Sequence, residues 1–247
     1  MKQLVIPPGS RTEQTVELRG KEHHYLARVR RIAVGERVVA LDRGERLQLE
    51  VIGVTKEVTT FRIVDKAEIR RQGPKLVLFP FLLKAGKLDD VIRQACEANV
   101  SAVVPVVGDH CIARPDRDEA KKVQRWSTIA REAAQQSGSD VCEIHAPVPS
   151  REVAAWWKNA GPLLLFHQLP LDKGSLHRYL FSRPEAVGLV VGPEGGLSQA
   201  EVDALLAQGA SPVWLGPFVL RAETASLYAV AAVNTILQET QEWTIPQ

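Results

Sequence analysis

Two short stretches near the end of this 247-residue chain combine glycine, proline and charged residues in a way that suits ligand binding. In the first, the apolar run Val187-Gly188-Leu189-Val190-Val191 passes straight into Gly192-Pro193-Glu194-Gly195-Gly196, and Ser198 with Glu201 three residues on forms a capping box that starts a helix. In the second, Pro212-Val213-Trp214-Leu215 leads into Gly216-Pro217-Phe218 and then Val219-Leu220-Arg221-Ala222-Glu223-Thr224-Ala225. Both read as strand, glycine loop, helix. A residue without a Cβ lets backbone approach a ligand closely, and open sheets bind ligands at the carboxyl ends of their strands. The same glycines would also serve an ordinary tight turn. Neither loop has the Gly-x-Gly-x-x-Gly of dinucleotide binding or a following Gly-Lys-Ser/Thr, which argues against a dehydrogenase or an NTPase. His167, just after the apolar run Leu163 to Phe166, falls at the edge where a ligand would bind. His110 and His145 show no ligand spacing with the cysteines, so no metal is expected.

The elements that must position these loops change character along the chain. Arg46-Leu47-Gln48-Leu49-Glu50-Val51 alternates polar and apolar as a half-buried strand should, Thr59 to Val64 does so more weakly, and Asp42-Arg43-Gly44-Glu45 supplies a turn before the first. With one short helix at about Lys21 to Arg31, this predicts a small β-rich domain over residues 1–72, closed at the charged and then helix-breaking stretch Arg70-Arg71-Gln72-Gly73-Pro74. Over residues 73–247, continuous apolar runs at Leu76–Leu83, Ala102–Val107, Leu163–Phe166 and Ala186–Val191 alternate with helices near Leu88–Asn99 and Asp116–Ser137. That pattern predicts an α/β domain with a mostly parallel sheet. The last helix, from about Thr224 to Glu239, is apolar nearly all round and is expected to be deeply buried or part of a subunit interface.

Composition bounds the function classes. With 45% hydrophobic and 24% charged residues the chain can bury a sizeable core, which excludes disorder, collagen and coiled coil. No apolar run reaches the roughly 18 residues of a membrane helix and no signal-peptide core precedes the first strand, so a soluble, cytoplasmic protein is expected. Cys96, Cys111 and Cys142, odd in number and widely spaced, read as buried thiols. The formal charge of +2 hides an asymmetry: residues 1–72 carry 15 Lys and Arg against 10 Asp and Glu, whereas the rest of the chain is acidic. Such a surplus suits a polyanion-facing module, although a solvated basic face is the commoner outcome.

Taken together and in order, Gly192-Pro193-Glu194-Gly195-Gly196, Leu215-Gly216-Pro217 and Leu220-Arg221-Ala222-Glu223-Thr224-Ala225 resemble the ribosomal RNA small subunit methyltransferase E family of the SPOUT methyltransferase superfamily. Upstream, His23-His24-Tyr25-Leu26 with Val29-Arg30 resembles that family's N-terminal signature, and Arg125 to Ser137 resembles its mid-chain helix. The resemblance covers almost the whole chain. It implies a PUA-like β-barrel followed by an α/β domain whose C-terminus is threaded into a trefoil knot. It further implies a cytoplasmic homodimer that uses S-adenosylmethionine to methylate N3 of one uridine in the 16S RNA of the small ribosomal subunit. By the same resemblance the cofactor lies against Gly192, Glu194, Gly195 and Gly196, against Leu215, Gly216 and Pro217, and against Leu220, Thr224 and Ala225. Phe218 stands where the family usually has arginine, and Ser139 where it often does.

For that reaction Arg221 would stabilise the target base, and Glu223 would orient it or accept its proton; the other reading makes the two a structural salt bridge at a helix start. The basic surplus and the resemblance together assign RNA contact to His23, His24, Tyr25, Arg28, Arg30 and Arg31, whose guanidinium groups suit phosphates and whose rings suit unpaired bases. Two other functions share these features: an RNA-binding ribosome assembly factor without chemistry, and a methyltransferase acting on transfer RNA.

Overall fold

A computed structural model describes residues 3–42, 44–68, 73–84, 86–112, 118–158 and 160–239. Arg43 of the predicted turn, Arg70, Arg71 and Gln72 of the predicted boundary and the first residues of the helix predicted from Asp116 lie outside the described residues. The chain divides into two compact units, one of residues 1–71 with 134–140 and one of residues 72–133 with 141–247.

The first unit is a curled five-stranded sheet. Its strands are β1 (Leu4–Val5), β2 (Thr15–Arg19), β3 (Arg37–Asp42), β4 (Glu45–Val54) and β5 (Val58–Glu68), in the order β1-β3-β4-β5-β2. All neighbours are antiparallel except β1 and β3. The alternation predicted for residues 46–51 is realised, with Leu47, Leu49 and Val51 fully buried beside Phe61. Register shifts at Gln48/Leu49 and Val51/Gly53 bend the long β4–β5 ribbon, as bulges do. Between β2 and β3, α1 (Gly20–His24) runs into a π-helical turn at Tyr25–Val29 and packs Leu26 into the same core.

The second unit holds β6 (Lys75–Pro80), α2 (Lys87–Glu97), β7 (Ala102–Val103), β8 (Val106–Val107), α3 (Glu119–Ser137, its last turn assigned to the first unit), β9 (Glu143–Ile144) and β10 (Val148–Pro149). There follow α4 (Val153–Trp157), β11 (Leu163–His167), α5 (Leu176–Leu180), β12 (Ala186–Val191), α6 (Gln199–Ala207), β13 (Ser211–Trp214) and α7 (Ala222–Glu239). Six strands form an all-parallel sheet in the order β13-β11-β12-β6-β7-β9. The strand predicted over Ala102–Val107 is two strands, because Pro105 lacks the N–H a ladder needs; β8 leaves the main sheet and pairs with β10.

Helix α7 packs on β6, β12 and α2. Its buried residues are Ala222, Ser226, Ala229, Val230, Val233 and Leu237, while Leu227 and Tyr228 are exposed, so it is buried on one face rather than all round. The Asn234 amide donates to Ala98 O at 2.8 Å and ties α7 to the end of α2. Asp89 Oδ1 on α2 accepts from Arg125 Nη2 at 2.8 Å and from the buried Trp126 indole at 3.0 Å, which fastens α2 to α3. Asp89→Ala leaves that indole N–H unpaired in the core, and urea unfolding should show a loss of about 1–3 kcal/mol.

Candidate functional site

The parallel register brings the two glycine loops together. Phe166 on β11 is level with Val191 on β12 and with Val213 on β13, so both loops leave the sheet at the same height on either side of His167. Between them opens a cavity whose lining includes Phe166, His167 and Gln168 from the end of β11, Gly192, Pro193, Gly196 and Leu197 from the first loop, and Leu215, Gly216, Phe218, Val219, Leu220, Ala222 and Ala225 from the second. Gly216 has φ +118° and Gly196 φ +72°, backbone regions that an L side chain rarely adopts, so the two loop paths depend on glycine at these positions.

The cavity therefore takes in Gly192, Gly196, Leu215, Gly216, Leu220 and Ala225 of the predicted cofactor residues. Glu194, Gly195 and Pro217 lie in the same loops and Thr224 in the first turn of α7, but none of the four is among its lining residues. Sequence reasoning did not place Gln168 and Leu197 on the wall; the end of the apolar run at Phe166 was the available signal for the β11 contribution. The apolar side chains suit a heteroaromatic ring and the loop backbones supply hydrogen-bonding edges, a donor set that fits an adenosine-containing cofactor.

A segment after β8 supports the first loop. His110 Nδ1 is 3.2 Å from Gly196 O, Ser198 Oγ donates to Asp109 Oδ2 at 2.7 Å, and Asp109 N–H donates to Glu201 Oε1 at 3.0 Å. Ser198 and Glu201 form the predicted capping box at the start of α6. A Cβ on Gly195 would stand 3.1 Å from the His110 Cβ, a tight contact to which His110 would have to yield.

Arg221 immediately precedes α7, its carbonyl accepting the Ala225 N–H at 2.8 Å, and its exposed guanidinium makes no hydrogen bond or ion pair among the described residues. Glu223 is not paired with it. The Glu223 carboxylate instead meets Lys87 Nζ at 3.2 Å, and the same ammonium lies 3.4 Å from Glu194 Oε1. Hydrogen bonding from its own backbone N–H, opposed by partial burial and reinforced by the Lys87 ammonium and the Arg221 charge, holds the Glu223 carboxyl below its ordinary value. Nothing in the sequence signalled Lys87, which is 136 residues from Glu223.

In the first unit the structure corrects one predicted RNA contact. His23 is buried, with Nδ1 2.8 Å from Thr59 Oγ1 and Nε2 3.2 Å from Lys56 O, so both ring nitrogens fasten α1 to the β5 hairpin and little of the side chain reaches solvent. Tyr25 is half-buried against the same core, whereas His24, Arg28, Arg30 and Arg31 are exposed. Among the described residues no group of His, Cys, Asp and Glu could hold a metal ion, and no helix is long and apolar enough to cross a membrane.

Residues 71–234 match the model of the RNA methyltransferase domain family. The ribosomal RNA small subunit methyltransferase E of Synechocystis is 31% identical over 95% of this chain and 78% of its own length. Among solved structures, a methyltransferase of Legionella pneumophila in complex with S-adenosylmethionine is 26% identical with a TM-score of 0.80, covering 95% of this chain and 97% of the other. The ribosomal RNA small subunit methyltransferase E of Neisseria gonorrhoeae bound to S-adenosylmethionine is 25% identical with a TM-score of 0.80, covering 96% and 98% of the two chains.

The support behind the first loop is itself testable. A Cβ on Gly108 would overlap the fully buried Phe81 ring and stand 2.6 Å from the buried Glu201 Oε1. Gly108→Ala should therefore cost about 1–3 kcal/mol of stability in thermal or urea unfolding, because Phe81 is fully buried and the Glu201 carboxylate is held by the Asp109 and Ser198 N–H groups.

Proposed function

Because the chain belongs to the ribosomal RNA small subunit methyltransferase E family, we propose that it methylates N3 of a uridine in 16S RNA of the small ribosomal subunit with S-adenosylmethionine as donor. The observation that carries the reading is the pair of glycine loops leaving β12 and β13 at one level around a single cavity. Gly192, Gly195, Gly196, Gly216 and Pro217 give backbone edges, Leu215, Leu220 and Ala225 apolar wall, and Glu194 and Thr224 polar groups at the rim for the cofactor.

When bound, S-adenosylmethionine supplies an electrophilic methyl group on sulfur. The N3–methyl bond forms as the sulfur–methyl bond breaks, and the N3 proton must leave. Alignment of the base and exclusion of water are the protein's main contributions to such an in-line displacement. Arg221, unpaired and beside the cavity, stabilises negative charge developing on the uracil oxygens. Glu223, paired with Lys87, orients the base or accepts the N3 proton, directly or through one bound water.

His24, Arg28, Arg30 and Arg31, with Tyr25 at the base of the patch, hold the RNA. The curled sheet of residues 1–72 is read as a PUA-like barrel and residues 73–247 as a SPOUT domain. The return of α7 from the β13 edge to pack on β12 and β6 supports a threaded, trefoil-knotted C-terminus. Exposed Phe218, Val219, Leu227 and Tyr228 on and before α7 support a homodimer that covers them. The chain acts where small subunits are, in the cytoplasm.

Arg221→Ala should lower turnover on small subunits by about 100-fold, the scale of one preorganised charge donor, and leave S-adenosylmethionine affinity unchanged by calorimetry. Full turnover would remove Arg221 from the reaction. Reversing Arg28, Arg30 and Arg31 together to glutamate should abolish subunit methylation with cofactor affinity intact; undiminished methylation would place the RNA elsewhere.

A further inference from the structure

Lys87 is the first residue of α2, and its ammonium stands between carboxylates from the two arms of the site, 3.4 Å from Glu194 Oε1 and 3.2 Å from Glu223 Oε1. The Lys84 N–H adds a contact to Glu194 Oε1 at 3.4 Å. The side chains of Lys87, Glu194 and Glu223 are 33%, 27% and 23% exposed, so solvent screens this cluster less than an ordinary surface pair. The support beneath the cation is firm: α2 is tied to α3 through Asp89 and to α7 through Ala98 O. Glu194 belongs to the first glycine loop and Glu223 to the first turn of α7, directly after the second loop, so a cation shared by both carboxylates fixes the first loop against the start of α7.

Charge adds a second consequence. Glu194 and Glu223 repel each other unless a cation lies between them. Arg221 is the other cation acting on Glu223, so a Glu223 without Lys87 would draw the Arg221 guanidinium onto itself. We propose that Lys87 is a positioning residue that holds the first glycine loop against the start of α7 and, by pairing with Glu223, leaves Arg221 free for the substrate base. This rests on the methyl-transfer reading above.

The test compares S-adenosylmethionine affinity by calorimetry for the full-length protein, Lys87→Met, Lys87→Arg, the pair Glu194→Gln with Glu223→Gln, and the triple variant. Lys87→Met should weaken binding about tenfold, as expected for loss of a partly buried charge-assisted contact, and Lys87→Arg should stay within about threefold of the parent. In the Glu194→Gln, Glu223→Gln background, Lys87→Met should cost nothing further, because the groups it acts through are gone. Carbon-13 NMR titration of the Glu223 carboxyl should show its midpoint rising toward the ordinary value in Lys87→Met and not in Lys87→Arg. Unchanged affinity in Lys87→Met, or the same loss in both backgrounds, would reduce Lys87 to a helix-start residue and overturn the inference. If the parent protein itself bound no S-adenosylmethionine, the methyl-transfer reading would fail instead, and the NMR titration would still decide whether Lys87 governs Glu223.

Discussion

The parallel register of β12, β11 and β13 is the constraint on which the site depends. Because Val191, Phe166 and Val213 stand side by side, the chain must leave the sheet twice at one height, on both sides of His167. Each exit turns at once, and the turns are possible because glycines occupy the positions of positive φ. The cavity is thus a product of strand order more than of any one side chain. A shift of a single residue in β13 would exchange the faces of Val213 and Trp214, one buried and one exposed, and would move Leu215 and Gly216 away from the cavity.

On that frame the charged groups divide into two kinds. Glu201, Ser198 and Asp109 are consumed in holding the first loop to the start of α6, and Asp89, Arg125 and Trp126 in holding α2 to α3. Lys87, Glu194 and Glu223 connect α2 to the first glycine loop and to the start of α7. Arg221 is left over, exposed and beside the cavity, and an unpaired guanidinium at that place suits a base that becomes anionic as it reacts.

Much of this was legible in the sequence, for local reasons. Continuous apolar runs marked β6, β11 and β12, the alternation at residues 46–51 marked β4, and Ser198 with Glu201 marked the start of α6, because each is set by neighbours a few residues away. What escaped was set by distant partners. The alternative reading of Arg221 and Glu223 as a salt bridge gives way to a Glu223–Lys87 pair, because the cation arrives from α2, 136 residues away. The basic surplus and the family resemblance together make His23 an RNA contact, but Thr59 and the Lys56 carbonyl claim both its nitrogens from another hairpin. The strand expected over Ala102–Val107 split at Pro105, whose missing N–H could have been weighed from sequence alone. The all-round apolar look of α7 concealed that Leu227 and Tyr228 face outward.

The central claim is that the cavity between the two loops delivers a methyl group to one uridine of the small-subunit RNA. Mass spectrometry of nuclease-digested 16S RNA, after unmodified small subunits are incubated with the protein and S-adenosylmethionine, tests it most directly. The account predicts a single added methyl, on one uridine and on its Watson–Crick edge at N3. No added methyl, with cofactor binding intact, or a methyl on a different base or on ribose, would contradict it.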